Sequence, residues 1–217
     1  MAHYNYEYNG KIVPSVTTIL AVVDKNLTNW ANRLGLSGVS LADHSAVVTG
    51  IGTLTHYFIE IYLKKQKADI QYVKQFPEET IAQAKSCFGL FYNWMESHTI
   101  EPIALEQPLT SERYGGTLDA LVNLDGNLTI LDWKTSKTIY SSYYGQLAAY
   151  ASLVKQHGYG TPKSVGIVLL PKEEGASMEY KPIQTDSPQF EAAKKYFEYA
   201  LELYTAKNQL QNVMRGI

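Results

Sequence analysis

The chain has 217 residues, a formal net charge of −2, 45% hydrophobic and 18% charged residues. Length favours one domain, or one domain with a helical extension, and the composition argues against a largely disordered chain. The single cysteine, Cys87, excludes a disulfide framework, an iron–sulfur cluster and a Cys-rich zinc site. No apolar run approaches the roughly 18 residues that cross a bilayer, and Met1-Ala2-His3-Tyr4 does not open a secretory signal. The near-neutral charge speaks against a protein that coats nucleic acid but leaves room for a groove with a local basic patch. Tyrosine outnumbers phenylalanine, 17 to 6, which suits either stacking surfaces or half-buried positions.

Tyr4, Tyr6 and Tyr8 alternate with polar residues before Asn9-Gly10, the pattern of a strand entering a hairpin turn. Ser15 is placed to cap a helix beginning at Val16, and 27–34 reads as a short helix. Gly50-Ile51-Gly52-Thr53 precedes a helix over about 53–66, with Leu54, Phe58 and Ile61 as its core stripe. Pro77-Glu78-Glu79 opens a helix running to about His98. Strands are expected over 103–109, 117–124, 128–134 and 165–170, with a helix over 141–157 between the last two. From Pro188 onward the chain is helical, with Phe190, Ala193, Phe197, Ala200 and Tyr204 facing inward. The fold class is α/β (α+β), a central mixed sheet flanked by helices.

The hairpin of 117–124 and 128–134 carries the chemistry. With Asp125-Gly126 at its centre, Leu124 faces Asn127 and Asp119 faces Asp132. Opposed carboxylates repel at cross-strand Cβ separations of about 4.5–5.5 Å, whereas a divalent cation between them turns repulsion into coordination. By alternation, Thr117 and Lys134 share that face, while Leu118, Ala120, Val122, Leu131 and Trp133 point to an apolar one. A turn at Gly126-Asn127 would instead set Asp119 against Lys134, a pairing that a surface salt bridge could also explain.

Gly116-Thr117-Leu118-Asp119, Asp132-Trp133-Lys134 and Gln146-Leu147-Ala148-Ala149-Tyr150 resemble, in order, motifs of the PD-(D/E)xK nuclease superfamily. The RecB-like branch is the nearest group, because Gly52-Thr53-Leu54-Thr55-His56 with Glu60 resembles its G-T-x-x-H-x-x-x-E helix. Pro14-Ser15-Val16-Thr17-Thr18-Ile19-Leu20 resembles the opening shared by the mitochondrial genome maintenance exonucleases and related phage exonucleases. The resemblance implies a restriction-endonuclease-like core over 51–170, preceded by a hairpin and helices (1–50) and followed by a helical segment (171–217), in one domain of 1–217.

It also implies a Mg²⁺- or Mn²⁺-dependent DNA nuclease, an exonuclease on single strands or free ends rather than an endonuclease. Such a protein would serve phage or mobile-element recombination, replication or repair in the host cytoplasm. A recombination or replication protein would be its partner, and no membrane is involved. A catalytically inactive nucleic-acid-binding module of the same fold is the alternative.

By this resemblance Asp119, Asp132, His56 and the Trp133 carbonyl are metal ligands, and Lys134 lies by the attacking water or the scissile phosphate. Glu60 orients a water or ligand, Gln146 holds a water or phosphate oxygen, and Glu106 stands behind the ligands. Ser15, Thr17 and Thr18, Lys64, Lys65 and Lys67, and Gln146 with Tyr150 are the DNA contacts. Each has a plainer reading. His56 and Glu60, at i and i+4, and the lysines could form solvated faces, Ser15 could simply cap its helix, Tyr150 could be core, and the N-terminal tyrosines could form a cross-strand ladder.

Overall fold

The computed structural model describes residues 5–23, 35–38, 40–173 and 175–216. The helix expected over 27–34, and Tyr4, lie outside the described residues.

Strands β1 (Tyr6–Tyr8) and β2 (Lys11–Val13) form the expected hairpin, with Tyr6 opposite Val13. Asn9 and Gly10 take φ of 50° and 78°, the two positive values that a type I′ turn demands. Helix α1 (Val16–Leu20) follows, capped by Ser15 Oγ, which accepts the Thr18 N–H at 3.0 Å. This unit is tied to the main sheet where the Gly115 N–H donates to the Pro14 carbonyl at 3.0 Å. A Cβ on Gly115 would lie 2.6 Å from Tyr6 Cβ, so the approach requires glycine.

Helix α2 (Leu41–Leu63) is longer than the sequence indicated. Gly50 and Gly52 do not start it. A Cβ on Gly50 would meet Thr80 Cγ2 at 3.2 Å, so Gly50 sits at the crossing with helix α4 (Glu78–Met95). The buried residues of α2 are Gly50, Ile51, Leu54, Thr55 and Ile59. Phe58 and Ile61 are only partly buried, so the expected stripe is rotated. That rotation turns His56 toward the sheet instead of toward water. By length and composition α2 could also cross a bilayer, but its middle packs against α4 and the sheet through Ile51 and Ile59. The single-turn helix α3 (Ile70–Val73), capped by Asp69, is too short to show a period.

The main sheet has the order β3-β4-β5-β6-β7: Ile100–Thr110, Gly115–Leu124, Asn127–Lys134, Ser164–Leu169 and Glu179–Gln184. Only β5 and β6 are parallel, and helix α5 (Ser141–Gln156) makes the crossover between them. Strand β7 was not foreseen within the C-terminal segment. It is an edge strand carrying Lys181 and Pro182, residues that blunt an edge and hide its period.

Helices α5 and α6 (Pro188–Arg215) cover one face of the sheet, packing on Leu118, Leu121, Ile130, Val165 and Ile167. Helices α2 and α4 cover the other, over Ala120, Val122, Leu131, Trp133 and Val168. Both faces are therefore buried, and the acid-bearing face is not a solvated one. Leu118 also departs from the expected alternation, since it packs with Leu121 and not with Ala120. Opposite it on β3, Glu106 has φ of 48° between the pairs Leu105↔Ala120 and Gln107↔Leu118, while the register shift of β3 lies between Pro102 and Ala104. A left-handed residue inside a strand turns the pleat over locally.

Candidate active site

Asp125 and Gly126, at φ of 50° and 84°, form the turn of the β4–β5 hairpin, and Leu124 pairs with Asn127. The first of the two expected registers is therefore the observed one. Asp125 is fixed from outside the hairpin: its carboxylate accepts the Thr99 N–H at 2.8 Å and meets His98 Nδ1 at 2.7 Å. The ladder runs to Ala120↔Leu131. One step on, Asp119 does not extend it, because Oδ2 of its side chain accepts the Trp133 N–H at 2.9 Å. Meanwhile β4 continues to pair with β3 as far as Gly115. The site occupies the place where β4 and β5 stop sharing backbone hydrogen bonds.

Three elements converge there. His56 from α2, Glu106 from β3 and Asp119 from β4 bring their ligand atoms within 4.8 Å of one another. His56 Nδ1 stands 3.5 Å from Glu106 Oε1 and 3.7 Å from Asp119 Oδ1. Its Nε2 is 2.9 Å from the Trp133 carbonyl and donates to it. Burial alone would lower the pKa of His56, but the charges of Asp119 and Glu106 outweigh it and raise it to about 9. Burial also pushes the Asp119 carboxyl up, against the pull of His56 and Lys134.

Asp132 is 1% exposed, and its Oδ2 is 2.7 Å from Lys134 Nζ. Burial, reinforced by Asp119 and opposed by Lys134, drives its carboxyl up to about 6. Burial would lower the pKa of Lys134, but Asp132 and Asp119 raise it. The ammonium also lies 4.9 Å over the ring of Tyr143, a residue the sequence did not single out. Its signal was faint, an aromatic one turn before Gln146 on the same helix.

Gln146 Nε2 donates to Tyr150 Oη at 3.1 Å, and both side chains are buried. Tyr150 is packed into the core. Its ring fills the space a Cβ on Gly116 would take, at 2.5 Å, and its hydroxyl is acidified less readily because of burial and the charges of Asp119 and Asp132. Tyr6 reaches Thr117 Oγ1 with its hydroxyl at 2.9 Å, linking the N-terminal hairpin to the acid-bearing strand.

The remaining expected residues occupy other surroundings. Glu60 pairs with Lys64 at 2.5 Å along α2 and is not part of the acid–imidazole group. Lys65 and Lys67 are exposed just past the helix. Ser15 Oγ lies 3.0 Å from Thr17 Oγ1 and 2.7 Å from Thr18 Oγ1, with both threonines exposed at the start of α1. A cavity of about 690 Å³ between the 111–114 turn, α5 and α6 contains none of these acids.

The donor set suits a hard divalent cation. His56 Nδ1 and Asp132 Oδ1 are buried without a well-formed hydrogen bond among the described residues, and Asp132 Oδ2 faces the Lys134 ammonium. Buried polar atoms of this kind are normally satisfied. Carboxylate oxygens and a carbonyl are donors that Mg²⁺ or Mn²⁺ accepts, and the imidazole nitrogen is a softer donor that favours a transition-metal ion over Mg²⁺.

A mixed sheet lies between helical layers and opens at buried acids beside a lysine. The family model described as PD-(D/E)XK nuclease superfamily matches residues 42–213, and the chain belongs to that superfamily. No curated protein matches it. Among solved structures, LHK-Exo in complex with dAMP is similar over 94% of this chain and 93% of its own, at 10% identity and a TM-score of 0.44. An alkaline exonuclease (LHK-Exo) structure from Laribacter hongkongensis is similar over 59% and 69%, at 10% identity and 0.37. A provisionally named exonuclease from Eubacterium rectale is similar over 78% and 68%, at 15% identity and 0.47.

Proposed function

We propose that this chain, as a single nuclease domain, is a divalent-metal-dependent deoxyribonuclease. It acts as an exonuclease on single-stranded DNA or DNA ends, in phage or mobile-element recombination, replication or repair in the host cytoplasm. The observation that carries this reading is the buried Asp132–Lys134 pair beside the His56–Glu106–Asp119 group, in a chain of the nuclease superfamily. His56, Asp119, Asp132 and the Trp133 carbonyl would hold Mg²⁺ or Mn²⁺, with Glu106 beside them. A cation bound there supplies Lewis-acid charge against the scissile phosphate.

The chain's own groups do the rest. Lys134, with its pKa raised, remains an ammonium at neutral pH. As an ammonium it offers positive charge and hydrogen-bond donors toward phosphate oxygens. The bond from His56 Nε2 to the Trp133 carbonyl fixes the ring and leaves Nδ1 facing the acids. Gln146, tethered through Tyr150, offers an amide to a water or phosphate oxygen. Ser15, Thr17, Lys64 and Lys65 are assigned to the DNA backbone, and Glu60 sets the Lys64 ammonium in place.

The test is cleavage of end-labelled linear single strands, their duplex and a closed single-stranded circle, with Mg²⁺, Mn²⁺ or EDTA. Metal-dependent loss of linear single strands, with the circle and Asp132→Asn inert, is the expected result. Cutting of the circle makes the protein an endonuclease at the same site. DNA binding without cleavage under either metal moves the reading to a binding module.

A further inference from the structure

The C-terminal half of α6 leaves the body of the protein. From Glu202 onward its residues are exposed apart from the half-buried Tyr204 and Asn208. That exposed stretch is not uniformly polar. Tyr199, Leu203, Leu210 and Val213 are 66%, 50%, 63% and 74% exposed. With Ala206 they recur at spacings of four, three, four and three residues. This is the repeat of a coiled-coil seam, and a globular packing face has no use for it here. The helix already buries Phe190, Ala193, Phe197, Ala200 and Leu201 against its own domain. At 100° per residue the seam lies about 150° around the helix from that inner face.

We propose that this seam docks a second copy of this chain, the two α6 helices running parallel over their C-terminal halves. The charges flanking the seam select this occupant and this direction. In a parallel pair the residue at the g position of one helix meets the residue five further on in its partner. Here Glu202 meets Lys207 of the second copy, and the symmetry of the pair makes the contact twice. An antiparallel pair that keeps the apolar layers has two registers: Leu203 against Ala206, which sets Glu202 against Gln209, or Ala206 against Leu210, which brings the two Lys207 side chains together; neither pairs Glu202 with Lys207. The small Ala206 lets two helices approach closely. The bodies of the two copies lie on the outer sides of the pair, because each seam faces away from its own core. Two heptads form a short seam, but α6 is already folded against its domain, so pairing does not have to order it. The association is expected in the micromolar range, about 10–100 µM.

Sedimentation velocity of the full chain from about 1 to 300 µM reads this directly. A concentration-dependent monomer–dimer equilibrium is expected, with Leu203→Glu/Leu210→Glu monomeric throughout and its circular dichroism spectrum unchanged. Glu202→Lys and Lys207→Glu should each weaken the dimer about tenfold, and the two together should restore it to within about threefold. A monomer at every concentration, a larger assembly, or a dimer indifferent to Leu203→Glu/Leu210→Glu overturns the proposal. Failure of the charge swap to restore pairing overturns the parallel direction. DNA cleavage by dilute protein should be unaffected by these variants, since none of the residues belongs to the acidic site.

Discussion

His56 faces two ways, and its charge follows from that. One ring nitrogen holds the Trp133 carbonyl, and the other faces two carboxylates. With its pKa raised to about 9 it is an imidazolium at neutral pH in the metal-free chain. A cation that takes Nδ1 must therefore displace a proton. Titrating Mn²⁺ at pH 7.5 in buffers of different ionisation enthalpy should show about one proton released per ion bound, and none with His56→Gln. Unchanged release in that variant removes His56 from the ligand set. The same shift makes a stability prediction. A histidine raised from 6.5 to about 9 contributes stability that is complete below 6.5 and is lost as pH rises through 9. The metal-free melting temperature should fall over that window, and less so in His56→Gln. Asp132→Asn keeps volume and removes charge, so cleavage should drop about a thousandfold or more while the fold persists. Near-normal cleavage by this variant would detach the site from the hairpin.

At the scale of elements, the site depends on close approaches that only glycine permits. Gly116 lets the Tyr150 ring of α5 lie on β4, and the Tyr150 hydroxyl in turn holds the Gln146 amide. Gly116→Ala should cost about 1–3 kcal/mol in denaturant unfolding. It should also lower cleavage, because the tyrosine must shift. An unaltered rate with full stability loss would mean that Tyr150 is only core. The β4–β5 hairpin was legible in the sequence because Asp-Gly chemistry fixes a turn, and a turn fixes a register. Helix α2 was less so. Of the glycines that read as a start signal, Gly50 packs against α4 and Gly52 faces Thr135 just past β5, and the true inner face of α2 became visible only with α4 and the sheet in place.

Over the whole molecule, two helical layers press on one sheet, and each buries part of the site's support. Phe91 of α4 packs edge-on against Trp133 with ring centroids 5.2 Å apart, directly behind the carbonyl that His56 holds. Phe91→Ala should cost about 3–5 kcal/mol, measured by chemical denaturation, and loosen the metal site along with the core. Full metal affinity in the destabilised variant would show that the β4–β5 opening holds its geometry without that layer.

Much of this protein was written locally. The order of motifs, the hairpin turn, the cap at Ser15 and the D-x-K spacing depend on residues a few positions apart, so the sequence alone pointed to the family and placed Asp119, Asp132 and Lys134 on one hairpin. What the sequence left open depends on distant segments meeting. Glu106 joins the cluster because a left-handed backbone breaks the pleat opposite Asp119. Tyr143 reaches Lys134 from another element, and His56 turns inward because α2 is rotated by its contact with α4. Neither periodicity nor spacing encodes such contacts, since each is set by which of several apolar faces buries most surface once all the layers are assembled.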